Sequence, residues 1–293
     1  MPFVFDNGGL MENSEINDVK GKCCVITGGA GVIGCSLVEA LASAGVKTAI
    51  VDLDGELAIE KAKQIADATG GKVIGVTGNV LDKTSLAEAK AKINDTFGPI
   101  DMLINGAGGN SPKATTAAEF LEESDLEQLD RTFFGLELEG FQKVFDLNFM
   151  GTLLPTMAFA KDMVERKSGA VLNISSMNSF RPLTRIPAYS AAKASINNFT
   201  AWLAVHLAPQ NIRVNAIAPG FFITGQNRFL LYDKESGELS ARGQKIVTAT
   251  PMRRFGDPEE LKGATLFLLS GKARFITGVV LPVDGGFSAY SGV

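Results

Sequence analysis

Tyr189 and Lys193 stand four residues apart in Tyr189-Ser190-Ala191-Ala192-Lys193, thirteen residues after Ser176. On a helix, positions i and i+4 share a face. A phenol beside an ammonium can work as an acid and a base, because the positive charge favours phenolate and draws its pKa down from about 10. The pair points to an enzyme that moves a proton at a carbonyl or an alcohol. The same spacing also occurs on ordinary solvated helices, so the argument depends on the elements that would position it.

The chain has 293 residues and a net charge of −4, with 45% hydrophobic and 20% charged side chains. That suits one large globular domain, or at most two, with a substantial core. No apolar run reaches the roughly 18 residues of a membrane helix. Met1 to Lys20 has neither the basic start nor the apolar centre of a signal peptide. The expectation is a polar arm over residues 1–20 and a single cytoplasmic domain over 21–293. Cys23 and Cys24 enter an apolar strand and Cys35 opens a helix, which fits buried reduced thiols better than a disulfide framework. No metal site is expected, because the other ligands are missing, and the one histidine, His206, reads as a helix-surface residue. Mild acidity without a basic run argues against nucleic acid as a partner.

Short apolar runs alternate with longer helical patterns. The strands are expected at Lys22–Thr27, Lys47–Asp52, Lys72–Thr77, Met102–Asn105, Ala170–Ser175, Arg213–Ala216 and Gly278–Val283. The helices are expected at Gly34–Ala44, Leu57–Thr69, Lys83–Phe97, Phe149–Arg166, Ala188–Leu207 and Pro258–Leu269. Such alternation implies an α/β fold, a doubly wound Rossmann-type parallel sheet of about seven strands with helices on both faces. Two excursions break the rhythm, near residues 110–140 and 221–255. Both leave the carboxyl ends of strands, where open α/β sheets build their sites, so they are candidate substrate walls.

Thr27-Gly28-Gly29-Ala30-Gly31-Val32-Ile33-Gly34 lies between the first strand and the first helix, and Gly29, Gly31 and Gly34 fit G-x-G-x-x-G. Glycines there permit a tight turn and bring backbone N–H groups and the helix N-terminus to a pyrophosphate. Asp52 ends the second strand, eighteen residues after Gly34, where a carboxylate accepts hydrogen bonds from adenosine ribose hydroxyls. It would repel a 2′-phosphate, and the adjoining Leu53 and Asp54 bring no base, so NAD is favoured over NADP.

With the glycine loop, the acid and the Ser–Tyr–Lys spacing together, the sequence resembles the short-chain dehydrogenase/reductase family from about Gly21 onward. Asn105-Gly106-Ala107-Gly108 matches the family segment that closes over the adenine side of the cofactor. Asn148 matches its helix asparagine. Pro219-Gly220, with Phe222 and Thr224, matches the segment that holds the nicotinamide carboxamide, and Val283-Asp284-Gly285-Gly286 matches the usual ending. Two positions depart from the pattern: Val32 stands where the middle glycine is usual, and Asn79-Val80 replaces the Asp-Val that meets the adenine amino group. An amide oxygen can still accept that bond. The resemblance implies a tetrad of Asn148, Ser176, Tyr189 and Lys193. Tyr189 would exchange the proton, Lys193 would tune it and hold the ribose, Ser176 would fix the substrate oxygen, and Asn148 would hold a relay water. It also implies a homotetramer, and the apolar tail Phe287–Val293 is expected to dock on a neighbouring subunit.

Within that family, Gly108–Thr116, Ser175–Asn178 and Gly285–Val293 resemble the D-mannonate oxidoreductases of short-chain type, or fructuronate reductases. That likeness implies a sugar-acid substrate, whose carboxylate and hydroxyls call for a cation and polar donors. Lys113, Asn110, Asn178, Arg181 and Arg185 are the candidates, with Lys113 on the carboxylate, and Phe221, Phe222 and Gln226 could line the other wall. The alternatives are a gluconate- or polyol-type dehydrogenase, a reductase of carrier-bound acyl groups, which the acidic balance disfavours, and a non-catalytic NAD sensor.

Overall fold

The computed structural model describes residues 17–223, 228–233 and 236–292. Seven strands run in sequence order: β1 Cys23–Thr27, β2 Lys47–Asp52, β3 Val73–Thr77, β4 Met102–Asn105, β5 Gly169–Ile174, β6 Ile212–Pro219 and β7 Val280–Val283. They pair side by side in the order β3-β2-β1-β4-β5-β6-β7, and every pairing is parallel. The helices are α1 Val32–Ser43, α2 Gly55–Thr69, α3 Lys83–Phe97, α4 Leu138–Phe145, α5 Gly151–Phe159, α6 Lys161–Arg166, α7 Pro187–Leu207, α8 Arg228–Leu231, α9 Ala241–Ala249 and α10 Lys262–Leu269. Among the described residues, no helix is long and apolar enough to cross a membrane.

The strands read as continuous apolar runs because both of their faces are covered. Alternate residues serve opposite faces. Cys24 and Ile26 pack with Leu37 and Leu41 of α1, Ala62 of α2 and Leu268 of α10. Cys23 and Val25 pack with Leu86 and Ile93 of α3, Met163 of α6 and Leu203 of α7. All three cysteines are free; burial first, then Asp101, pushes the Cys23 thiol up to about 12. Local chemistry sets the helix starts. Asp54 accepts the Leu57 N–H at the head of α2, and Asp82 accepts those of Thr84 and Ser85 at the head of α3. Pro187 sits in the first turn of α7, where its missing N–H costs nothing.

One expected helix changes shape. The segment beginning at Phe149 starts earlier, at Leu138 of α4, passes through a π turn at Asp146–Met150 and continues as α5 and α6. Phe141, Val144 and Phe145 carry an apolar face onto Ala114, Ala188 and Ala192, which extends the helix back into the stretch read as loop. The rest of the 110–140 excursion is short 3₁₀ turns.

Candidate active site

The winding of the sheet reverses between β1 and β4, and a crevice opens there at the carboxyl ends of the strands. Gly28 leaves β1 with a φ of 65°, in the left-handed region, and a Cβ there would lie 2.8 Å from the Ala107 Cα. A Cβ on Gly34 would lie 2.6 Å from the Gly28 carbonyl oxygen. Gly31 caps α1 at an ordinary φ of −71°. The turn therefore hinges on Gly28 and Gly34, not on Gly29 as the G-x-G-x-x-G reading has it, and Val32 fits because its side chain is half-exposed. Cys35 N–H makes the first bond back, 2.8 Å to the Gly31 oxygen, so Val32, Ile33 and Gly34 present the first-turn amides of α1. Amides so placed at a helix N-terminus can hold a pyrophosphate.

Asp52 ends β2 against this loop and accepts the Ala30 N–H at 3.2 Å. Leu53 beyond it is exposed. After β3, Asn79 Oδ1 accepts the Leu81 N–H at 3.0 Å, which closes a turn and leaves one lone pair for a ligand; Val80 is buried. Thr27 Oγ1 accepts the N–H groups of Gly106 and Ala107 at 3.2 and 3.4 Å, tying the β4 exit to the glycine turn. The Asn105 side chain is directed into the protein. It donates to Thr156 Oγ1 at 2.9 Å and to Asn173 Oδ1 at 2.8 Å, and Asn173 donates to Thr200 Oγ1 at 2.9 Å. This run of buried amides, which the sequence reading missed, braces β4, β5, α5 and α7. Its signal was a polar residue, Asn173, inside an apolar strand.

The proposed tetrad converges at the ends of β4 and β5. Ser176 follows β5, is buried, and shares a hydrogen bond with Tyr189 in the first turn of α7. Lys193, one turn on, is buried with its Nζ 5.6 Å from the Tyr189 ring centroid, and it donates to the Ile174 carbonyl at 2.8 Å. Asn148 lies in the π turn. Its Nδ2 donates to Gly109 O at 2.7 Å and Val144 O at 2.8 Å, and its Oδ1 accepts the Gly109 N–H at 3.3 Å. A Cβ on Gly108 would lie 2.7 Å from Asn148 Oδ1 and 3.3 Å from Lys193 Nζ, so those three residues meet. The Asn148 amide thus braces the loop after β4.

Electrostatics also differ from the simple phenol–ammonium expectation. Burial raises the Tyr189 pKa above its ordinary value, and the Ser176 bond only partly offsets this. The residue as a whole is partly exposed, while its hydroxyl is desolvated. Burial pulls Lys193 down to about 8. Desolvation outweighs the mutual attraction that the i, i+4 spacing suggested.

At the far side of the crevice, β6 ends in buried Pro219, and the Gly220 N–H donates to Val283 O at 2.9 Å. Phe222 is buried beside them, whereas Thr224 and Gln226 lie outside the described residues. Among the substrate candidates, Asn178 is buried just after Ser176, and its Oδ1 has no hydrogen-bond partner. Asn110 donates to Thr115 Oγ1 at 2.9 Å. Lys113 is not a free cation: Glu137 and Glu139 hold its ammonium at 3.0 and 3.1 Å and raise its pKa. Arg181 donates to the Tyr290 carbonyl. Within the subunit the tail is anchored at its start, with Phe287 edge-on to Phe221 at 5.4 Å.

This is the architecture of the nicotinamide-dependent oxidoreductases that exchange an alcohol and a ketone. Residues 28–288 match the model of a family described as enoyl-(acyl carrier protein) reductase. An uncharacterized oxidoreductase of Haemophilus influenzae is 51% identical over 94% of this chain and 96% of its own length. A solved Haemophilus influenzae structure with bound NAD, provisionally named D-mannonate oxidoreductase, superposes with a TM-score of 0.89. It is 51% identical and covers 94% of this chain and 98% of its own. The 2-dehydro-3-deoxy-D-gluconate 5-dehydrogenase of Formosa agariphila is 32% identical over 95% of this chain and 97% of its own length. The protein belongs to the short-chain dehydrogenase/reductase family.

Proposed function

We propose that this protein uses NAD(H) to interconvert a secondary alcohol of a sugar acid and the matching ketone, with D-mannonate and D-fructuronate as the pair. The observation that carries the chemistry is the meeting of Ser176, Tyr189, Lys193 and the Asn148-braced loop at one crevice. The name of the solved Haemophilus structure and its bound NAD support the choice of substrate and cofactor. The residues fit that cofactor: the first-turn amides of α1 suit its pyrophosphate, and the Asp52 carboxylate suits a ribose diol and disfavours a 2′-phosphate. Asn79, Val80, Ala107 and Gly108 would line the adenine side, and Pro219, Gly220 and Phe222 the nicotinamide side. When bound, NAD(H) supplies the hydride acceptor or donor.

The protein's own groups handle the oxygen. Burial keeps the Tyr189 phenol protonated near neutrality, so in reduction it can give its proton to the new alkoxide and in oxidation take it back. Ser176 shares a bond with that hydroxyl and holds the same substrate oxygen. Lys193, brought to about 8, can lose or regain a proton near neutral pH and so can restore the phenol. Asn148 positions this pair by pinning Gly108 and Gly109. Asn178, with an open buried acceptor, suits a substrate hydroxyl, and Asn110 would offer a further amide to it. A cytoplasmic homotetramer completes the proposal, and sedimentation of the purified protein checks the assembly.

The test is turnover with NAD on D-mannonate, D-gluconate, D-mannitol and a simple secondary alcohol. D-mannonate is expected to show the highest kcat/KM. A clear preference for gluconate or mannitol would move the substrate. Tight NAD binding without turnover of any of them would make the protein a sensor.

A further inference from the structure

We infer that the substrate carboxylate is seated between Arg185 and Arg242, where the 110–140 excursion meets α9. This rests on the sugar-acid reading above and names the residues that would select the acid. Arg185 lies four residues before Tyr189, and its Nε donates to Thr116 O at 2.8 Å, while Thr116 N–H donates back to Arg185 O at 3.0 Å. Two residues from Thr116, Ala114 packs in the same cluster as Tyr189. One short stretch of backbone therefore joins the Arg185 guanidinium to the proton donor.

The second arginine arrives from the other excursion. Lys245 of α9 pairs with Glu119 at 2.5 Å, and Glu119 also bonds to Thr184. Arg242 is three residues before Lys245 on α9, so it shares that face and stands at the same junction. Three cations thus meet one carboxylate, and Lys245 and Thr184 already hold it. Among the described residues, Arg242 has no hydrogen-bond or ion-pair partner, and Arg185 has no carboxylate within ion-pair distance. Desolvation, then the Arg185 charge, lowers the Arg242 pKa, and Glu119, already held by Lys245 and Thr184, offsets only part of this. Arg242 also stands in the first turn of α9, where the helix dipole disfavours a cation. A planar carboxylate relieves both conflicts and takes bidentate bonds from a guanidinium. Lys113, already outnumbered by two glutamates, does not.

The experiment compares D-mannonate with its neutral amide on the wild type, Arg242→Gln, Arg242→Lys and Lys113→Ala. Arg242→Gln is expected to raise the mannonate KM about tenfold to a hundredfold, leaving kcat within a few-fold and the amide KM unmoved. Arg242→Lys is expected to recover part of the loss. NAD binding by each variant shows that it is folded, and Arg242→Lys carries the test should Arg242→Gln misfold. An unchanged mannonate KM, or a rise confined to Lys113→Ala, would overturn the placement alone. A wild type that turns over no sugar acid would overturn the function proposed above, and this placement with it.

Discussion

Replacing Lys193 with methionine separates what this residue does for the reaction from what it costs the fold. The ammonium is buried, and burial brings its pKa from 10.5 to about 8. Below pH 8 the side chain is charged in both states, and folding bears the whole desolvation cost. Between about pH 8 and 10.5 the native protein has released the proton and the unfolded one still holds it, so stability rises with pH in that window. At 1.36 kcal/mol per unit, that rise amounts to about 3 kcal/mol. Methionine has nearly the same shape and no charge. It removes the cost at every pH and forfeits the bond to Ile174 O, worth about 1 kcal/mol. At pH 7, Lys193→Met is expected to be more stable by about 2 kcal/mol, a shift of roughly 5 °C in melting temperature. It is also expected to lose nearly all turnover. Urea titration of both proteins from pH 7 to 10.5, at fixed protein concentration, measures the two curves. The reasoning is refuted if the variant keeps the wild-type rise above pH 8, or if it is less stable than the wild type at pH 7.

Tyr189→Phe is expected to lower kcat about a thousandfold while leaving NAD affinity within threefold, read by single-turnover kinetics and fluorescence titration. Asp52→Asn removes the charge that opposes a 2′-phosphate, so the preference for NAD over NADP in kcat/KM should fall at least tenfold; an unchanged ratio would place the discrimination elsewhere. Gly28→Ala forces a Cβ to within 2.8 Å of backbone and a side chain into the left-handed region. It is expected to weaken NAD binding at least tenfold and to lower the melting temperature, and a normal titration would count against the hinge. Asn173→Ala leaves the buried Asn105 amide without the acceptor, and the Thr200 hydroxyl oxygen without the donor, that Asn173 supplies, and is expected to cost about 1–3 kcal/mol by urea titration.

What could be read directly from the amino acids, and what could not, follows from how local each interaction is. The strands were legible because both faces of the sheet are covered, which leaves the unbroken apolar runs Cys23–Ile26 and Ala49–Val51 within them, closed by the Thr27-Gly28 turn and by Asp52. The Tyr189–Lys193 pair was legible because one helical turn joins it, and Gly28 and Gly34 because one tight turn joins them. The pKa shifts were not, because they depend on how deeply α7 is covered, and that depth is set by Ala114, Val144 and the helix α4 that reaches back into an apparent loop. Lys113 read as a free cation because the glutamates that neutralise it come from the far end of the same excursion. Arg185 could be named from its place just before Tyr189, but its meeting with Arg242 gives no local signal: they lie 57 residues apart, and only the Glu119–Lys245 contact and the turn at Thr116 bring them together. Proton chemistry is therefore built from neighbours in sequence, and the choice of substrate from residues that meet only in the folded protein. A family can keep the first fixed while it varies the second, so the excursions, more than the tetrad, decide which substrate this enzyme accepts.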